Sequence, residues 1–282
     1  MRCTERAYAK VNLTLDVGAK RADGYHGITS VMQRISLHDT VTVERGAGRD
    51  ILLCSVPVTE HEDDNLCMKA LRAFFAEMGI KSDGVTITLE KHIPVQAGLG
   101  GGSSDAAAVL RALRTLYAPD MSDGRLETLA ARLGSDVPFF IRGGTQLATG
   151  RGEVVSPLPP LTAGWFVVVK PDEGYSTAEM YRRLDALDAG SPRHVGVIQD
   201  AVAGNNVHAA AVELYNDFER AVPKSSSLPV IKTALRDQGA LGTLLSGSGS
   251  AVFGLFDDQS AAAAAAEALK RVWPQVFVTR PV

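Results

Sequence analysis

Short strand-like and helix-like runs are interspersed along this 282-residue chain, which predicts an α+β fold organised as two successive α+β domains. Three observations carry that expectation. Residues 85–89 (Val-Thr-Ile-Thr-Leu) alternate apolar and β-branched polar side chains, the period of two of a half-buried strand. Val109, Leu110, Leu113, Leu116 and Tyr117 recur at helical spacing within an alanine-rich run. Leu158-Pro159-Pro160-Leu161 stops regular structure and sets a boundary between residues 1–157 and 158–282.

In order, strands are expected at 5–17, 40–45, 50–54, 85–90 and 145–148, with helices at 64–78, 104–117 and 123–133. Beyond the prolines, residues 165–170 (Trp-Phe-Val-Val-Val-Lys) read as a buried strand, followed by helices at 177–187, 207–220 and 227–238. Strands at 241–246 and 251–256, an alanine-rich helix at 259–271 and a last strand at 275–279 complete the second domain.

Composition bounds the function. With 45% hydrophobic and 22% charged residues the chain is an ordinary globular one, able to bury a real core. A formal net charge of −3 gives no electrostatic case for nucleic-acid binding. Cys3, Cys54 and Cys67 are odd in number and lack CxxC spacing, which argues against a disulfide framework or a zinc site and fits a reducing cytoplasm. The N-terminal residues lack the apolar block of a secretory signal, and no run approaches the length of a membrane span. A cytoplasmic protein with small-molecule ligands and no membrane or nucleic-acid partner is expected.

The strongest motif is Pro94-Val95-Gln96-Ala97-Gly98-Leu99-Gly100-Gly101-Gly102-Ser103-Ser104, which joins the strand at 85–90 to the helix at 104–117. Glycines free the backbone to turn its N–H groups inward, and a helix N-terminus adds unpaired N–H groups with a partial positive charge; both favour phosphate. A linker would not sit tightly between a strand and a strongly helical run. No lysine follows the glycines, which excludes the GxxxxGK[ST] loop, and the dinucleotide G-x-G-x-x-G pattern fails at Ser103.

This loop resembles the second motif of the GHMP kinases, the superfamily of galactokinase, homoserine kinase, mevalonate kinase and phosphomevalonate kinase. Ala9-Lys10-Val11-Asn12-Leu13-Thr14-Leu15 and Arg21-Ala22-Asp23-Gly24-Tyr25-His26 are similar to the branch that phosphorylates a cytidine-diphosphate-linked methylerythritol. Gly134-Ser135-Asp136-Val137-Pro138-Phe139-Phe140 resembles the superfamily's catalytic aspartate segment, and Leu245-Ser246-Gly247-Ser248-Gly249-Ser250 its C-terminal glycine motif. Asp64-Asn65-Leu66 and Asn216-Asp217-Phe218-Glu219 share the likeness. The resemblance implies a ribosomal-protein-S5-like N-terminal domain, a ferredoxin-like C-terminal domain, and a monomer or homodimer that uses ATP with Mg²⁺.

Phosphoryl transfer needs a cradle, a cation, a proton acceptor and a metal ligand. By resemblance Asp136 is the general base toward the substrate hydroxyl, although Gly-Ser-Asp-Val-Pro alone would read as a turn aspartate. Lys10, which strand arithmetic places on one face with Asn12 and Thr14, is implied to hold Asp136 ionised, and Asn12 to contact the erythritol part. Tyr25 and His26 follow the turn dipeptide Asp23-Gly24, so a loop presents an aromatic face and an imidazole, a pairing suited to a pyrimidine. The resemblance assigns both to the cytosine, with Tyr181 as second stacking face and Thr177 as a polar contact. Asn65 and Lys91 are assigned to adenine or ribose, and Pro94, Gln96, Ala97, Gly98, Leu99, Gly100, Gly101, Gly102, Ser103 and Ser104 to the ATP phosphates. Either serine suits an approach to Mg²⁺. Gly247 and Gly249 either bring backbone to the ligand diphosphate or form a tight hairpin. Gln96 and Ala97 depart from the glycines common at their positions. A kinase for another small alcohol and a silent metabolite sensor on the same fold are the competing functions; Lys10 together with Asp136 counts against the sensor.

Overall fold

The computed structural model describes residues 1–46, 48–187 and 195–282. In chain order it contains β1 (Arg2–Asn12), β2 (Thr14–Lys20), β3 (His26–Arg45), β4 (Ile51–Cys54), α1 (Leu66–Met78), β5 (Val85–Glu90), α2 (Gly101–Tyr117), α3 (Asp123–Ala131) and α4 (Phe139–Arg142). There follow β6 (Thr145–Thr149), β7 (Val154–Pro157), β8 (Trp165–Lys170), α5 (Thr177–Asp185), α6 (Gly196–Ala203), α7 (Val207–Val212) and β9 (Tyr215–Asn216). The chain ends with α8 (Leu228–Asp237), β10 (Gly242–Leu245), β11 (Val252–Phe256), α9 (Gln259–Leu269) and β12 (Gln275–Thr279). Two compact units are assembled from non-contiguous segments: Met1–Ala9, His38–Val95 and Gly100–Gly143 form one, and Lys10–Leu37, Gln96–Leu99 and Gly144–Val282 the other.

In the first unit, the end of β3 pairs antiparallel with β5, from Thr40 opposite Glu90 to Arg45 opposite Val85, and β4 lies parallel to β5. Helix α1 starts where the Asn65 side chain accepts the Cys67 N–H and stops at Gly79, whose φ of 65° is the left-handed end that glycine takes without strain. Leu71, Phe74 and Phe75 of α1 and Val109, Leu110 and Leu113 of α2 are buried apolar residues of this unit.

In the second unit, the start of β3 pairs with β2 and with β6, β6 with β7, and the short β9 runs parallel to β2. A separate antiparallel sheet has the order β10-β11-β8-β12. Its chain order is strand, helices, two hairpin strands, helix, strand, the ferredoxin-like arrangement expected of the second half. β8 is central, and residues 166–170 are all buried, as their unbroken apolar run requires. Leu15, Val167, Met180, Phe218, Ile231, Leu245, Val252 and Leu269 share one core cluster.

The strand expected at 5–17 is two, β1 and β2, and α4, β7, α6 and β9 add to the expected elements; three further differences have local reasons. β3 begins at His26 instead of near residue 40, because buried Ser30, Gln33 and Asp39 interrupt the apolar period along it. The helix expected over 207–220 ends at Val212; Asn216 is extended, and its side chain accepts the Phe218 N–H to start a separate 3₁₀ turn. α2 begins at Gly101, inside the glycine run, so the loop's last glycines already form helix backbone.

Candidate active site

Within the second unit, residues 96–99 of the glycine loop are interlocked with the turn between β10 and β11. Ser250 N–H donates to Gln96 O at 3.4 Å, Ala251 N–H to Ala97 O at 3.1 Å, and Ser246 Oγ to Gly98 O at 3.0 Å. Glycine is mandatory at 98: φ is +72°, and a Cβ there would lie 2.0 Å from the Ser246 carbonyl oxygen. Gly247, at φ +53°, is equally confined, since its Cβ would fall 2.9 Å from Gly98 O and 3.3 Å from Lys10 Nζ. A side chain on Gly249 would meet the Tyr175 ring at 2.7 Å. Of the two readings of this motif, the structure shows the hairpin. The turn does join two antiparallel strands, and it packs glycine against glycine beside the Lys10 ammonium. Gln96 has φ +51°, which accounts for the glycine common at this position.

Lys10 and Asn12 are not solvent-facing. Both are 3% exposed, and Thr14 is 6% exposed. Lys10 Nζ donates to Asn12 Oδ1 at 2.6 Å, Asn12 Nδ2 to Ser30 Oγ at 2.8 Å, and Ser30 Oγ to the Thr14 carbonyl at 2.5 Å. The Lys10 N–H also donates to Leu99 O, so the strand carrying the lysine is tied to the loop itself. An ammonium held in this way is a preorganised cation whose burial strengthens its field.

Within the first unit, the loop continues from Gly100, at φ +71°, into α2. Ser104 is buried and its hydroxyl donates to Tyr8 O at 2.6 Å, whereas Ser103 is partly exposed. A side chain on Gly101 would point toward Ile93 and Lys91 Nζ, at 3.2 and 3.4 Å. Lys91 directs its ammonium to Asp39 Oδ2 at 2.5 Å and Asp105 Oδ2 at 2.7 Å, with only 6% of the side chain exposed. Asp39 is fully buried and its other oxygen accepts the N–H groups of His92 and Ile93. Burial lowers the Lys91 pKa, but the two carboxylates outweigh it and leave the pKa raised. Burial pushes the Asp105 carboxyl up to about 7, against the pull of Lys91. Asn65, expected at the nucleotide, uses its carboxamide oxygen to cap α1. Asp136 lies half-buried in the turn between α3 and α4, where Val137 N–H closes on Gly134 O at 3.2 Å.

The expected base-recognition residues gather in the second unit. The Tyr25 N–H donates to Asp23 Oδ1 at 3.1 Å, a contact that depresses the Asp23 pKa, and Gly24 turns at φ +83°. The Tyr25 ring is 55% exposed, with the Arg151 guanidinium 4.9 Å from its centroid. His26 stacks on Tyr181, with centroids 5.1 Å apart and planes inclined by 17°, while Nδ1 lies 3.0 Å from Gly18 O and Nε2 2.9 Å from Asp185 Oδ1. Tyr181 rests edge-on against Phe218. Thr177, the first residue of α5, shares a hydrogen bond with Ser248 at 3.0 Å, joining this helix to the glycine turn.

Sequence reasoning missed Asp39, Ser30 and Ser246. Asp39 lies just before the strand expected at 40–45, and nothing local shows that it is buried under a lysine 52 residues away. Among the described residues, no group of three or more His, Cys, Asp or Glu side chains could hold a metal ion by itself, and no helix is long and apolar enough to cross a membrane.

Comparison with known proteins gives the family. The family models for the GHMP kinases N terminal domain and GHMP kinases C terminal match residues 65–144 and 203–275. The 4-diphosphocytidyl-2-C-methyl-D-erythritol kinase of Clostridium botulinum (strain Eklund 17B / Type B) is 40% identical over 278 residues, covering 98% of this chain and 99% of its own. The kinase of the same name from Symbiobacterium thermophilum is 41% identical over 275 residues, 97% of each chain. A crystal structure of 4-(cytidine 5'-diphospho)-2C-methyl-D-erythritol kinase superposes with a TM-score of 0.84 at 37% identity over 99% of both chains. Homoserine kinase from Cytophaga hutchinsonii shares the fold at a TM-score of 0.76 and 19% identity, covering 99% of this chain and 95% of its own. With both domain models matched in order and relatives near 40% identity end to end, the chain belongs to the GHMP kinase family.

Proposed function

We propose that this protein transfers the γ-phosphate of ATP to the 2-hydroxyl of 4-diphosphocytidyl-2-C-methyl-D-erythritol, a step of non-mevalonate isoprenoid precursor biosynthesis. The observation that carries the reading is the pairing of full-length identity to kinases of that name with the His26–Tyr181 stack and the exposed Tyr25 ring, which offer aromatic faces to a cytosine ring. Kinases for homoserine and mevalonate share the fold at 19% identity, which says nothing of their substrates here.

Phosphoryl transfer is mainly positioning and charge stabilisation. In this reading the N–H groups around residues 98–104 and the start of α2 receive the triphosphate. The Ser103 hydroxyl would be the protein group to approach a nucleotide-bound Mg²⁺. When bound, that metal would neutralise charge on the transferring group. Asp136 accepts the proton of the acceptor hydroxyl, and Lys10 supplies a buried cation for the charge of the reaction. Asn12, oriented by Lys10 and Ser30, meets the erythritol hydroxyls. Tyr25 and Tyr181 supply stacking surface for the pyrimidine, with His26 and Thr177 as its polar neighbours. Remote binding of the cytidine diphosphate positions the hydroxyl, so turnover depends on it.

ADP release should be measured with ATP, Mg²⁺ and each of the cytidine-linked methylerythritol, free methylerythritol phosphate, homoserine and mevalonate. Turnover confined to the first is expected; equal turnover of any other overturns the assignment. In the same assay, Tyr25→Ala should weaken acceptor binding by about 1–3 kcal/mol and leave ATP affinity unchanged.

A further inference from the structure

The segment Asn216-Asp217-Phe218-Glu219 holds two parts of the second unit at once. Asn216 ends β9 and is 2% exposed. Its Oδ1 accepts the Phe218 N–H at 3.0 Å, which fixes which end of the amide is oxygen. The NH₂ group therefore faces two carbonyls, Leu245 O and Gly247 O, each at 2.8 Å, and both of its hydrogens are used. Glu219 Oε1 accepts the Leu245 N–H at 2.9 Å, and the Lys232 ammonium holds that carboxylate at 2.6 and 2.8 Å. Asp217, buried, accepts the Val17 N–H at 2.8 Å and the Tyr215 hydroxyl. Leu245 and Gly247 lead into the turn that touches Gly98 and the Lys10 ammonium. Phe218 lies in the core with its ring 4.9 Å from Tyr181, the residue on which His26 stacks.

We infer that Asn216-Asp217-Phe218-Glu219 is a positioning clip with two outputs: Asn216 and Glu219 set the glycine turn that supports Lys10 and Gly98, and Phe218 sets Tyr181 and His26. The inference rests on the proposed reading of those residues as phosphate and cytosine sites, and it adds residues that touch neither ligand. Its signature is a division of kinetic effects. Asn216→Asp preserves shape but turns a double donor into an acceptor aimed at two carbonyls, so the turn must shift. Displacing a reacting group by about 1 Å costs up to roughly a hundredfold in rate. Phe218→Leu keeps the core apolar and removes the aromatic edge under Tyr181, a contact worth about two- to tenfold in an equilibrium.

The test is steady-state kinetics of both variants on the full chain, with ATP affinity from displacement of a fluorescent ATP analogue and amide hydrogen exchange at Ala251, whose N–H donates to Ala97 O. Asn216→Asp should lower kcat or ATP affinity by about tenfold or more and speed exchange at Ala251, with KM for the cytidine substrate within about threefold. Phe218→Leu should raise that KM by about two- to tenfold and leave ATP affinity and Ala251 exchange unchanged. Wild-type values in folded Asn216→Asp, or losses in both variants that fall equally on both substrates and follow the unfolded fraction, overturn the clip. Should Asn216→Asp not fold, Asn216→Ser, which keeps one donor, carries the same test at smaller amplitude. If wild-type enzyme binds ATP yet never turns over the cytidine substrate, the functional reading fails, while ATP affinity and Ala251 exchange still decide the clip's hold on the glycine turn.

Discussion

Residues 96–99 and the residues flanking them are held by opposite physics. The former are gripped by neutral groups: carbonyls of Gln96, Ala97 and Gly98 accept from Ser250, Ala251 and Ser246, and glycines at 98 and 247 allow backbone to touch backbone. The flanks are set by charge, with Asp39 gathering Lys91, His92 and Ile93, and Lys91 reaching on to Asp105 at the start of α2. Neutral backbone contacts are blind to pH and salt but tolerate no added atom. A buried ion cluster tolerates small changes of shape but answers strongly to any change of charge. One loop thus has a segment vulnerable to sterics and flanks vulnerable to protons.

The steric side breaks hardest at Gly98. Gly98→Ala forces a Cβ against the Ser246 carbonyl and should cost about 3 kcal/mol or more of stability, read by chemical denaturation. Turnover of what remains folded should fall by about a hundredfold or more. On the charged side, Lys91→Met leaves Asp39 and Asp105 buried without their cation. The expected loss is about 3–5 kcal/mol, smaller in acid, where the carboxyls can take up protons.

Asp105→Asn sharpens the contrast. With its folded pKa near 7 against 3.8 unperturbed, Asp105 binds its proton more tightly in the native state. Its contribution therefore favours folding in acid and is lost as pH rises from about 4 to about 7. The asparagine variant should lack that slope and be more stable than wild type above pH 7, in denaturation curves taken across that range. The smallest effect is expected at Gln96→Gly, where relief of a left-handed glutamine should raise stability by about 1 kcal/mol with no pH dependence.

Much of this was legible in the sequence where one short segment carries the information. The strands at 85–90, 165–170 and 275–279 have the observed bounds because their period and punctuation are local. The glycine loop announced itself by composition, and the Tyr25 turn by Asp23-Gly24. What could not be read was partnership at long range. Nothing near Lys91 shows that its ammonium is taken by Asp39 and Asp105, and nothing near Gly247 shows that Gly98 lies against it. Polar residues inside β3 hid a strand because their partners, such as Asn12 for Ser30, come from elsewhere in the chain. Buried polar groups are where pattern reading fails, and in this protein they hold the loop and Lys10 in place.

The central chemical claim is that Asp136 takes the proton from the acceptor hydroxyl. Its most direct test is Asp136→Asn, with ATP and acceptor binding measured by calorimetry and phosphoryl transfer by single-turnover quench. The account predicts a folded enzyme that binds both ligands normally and transfers phosphate about 10²–10⁴-fold more slowly. Near-normal transfer by that variant would contradict it.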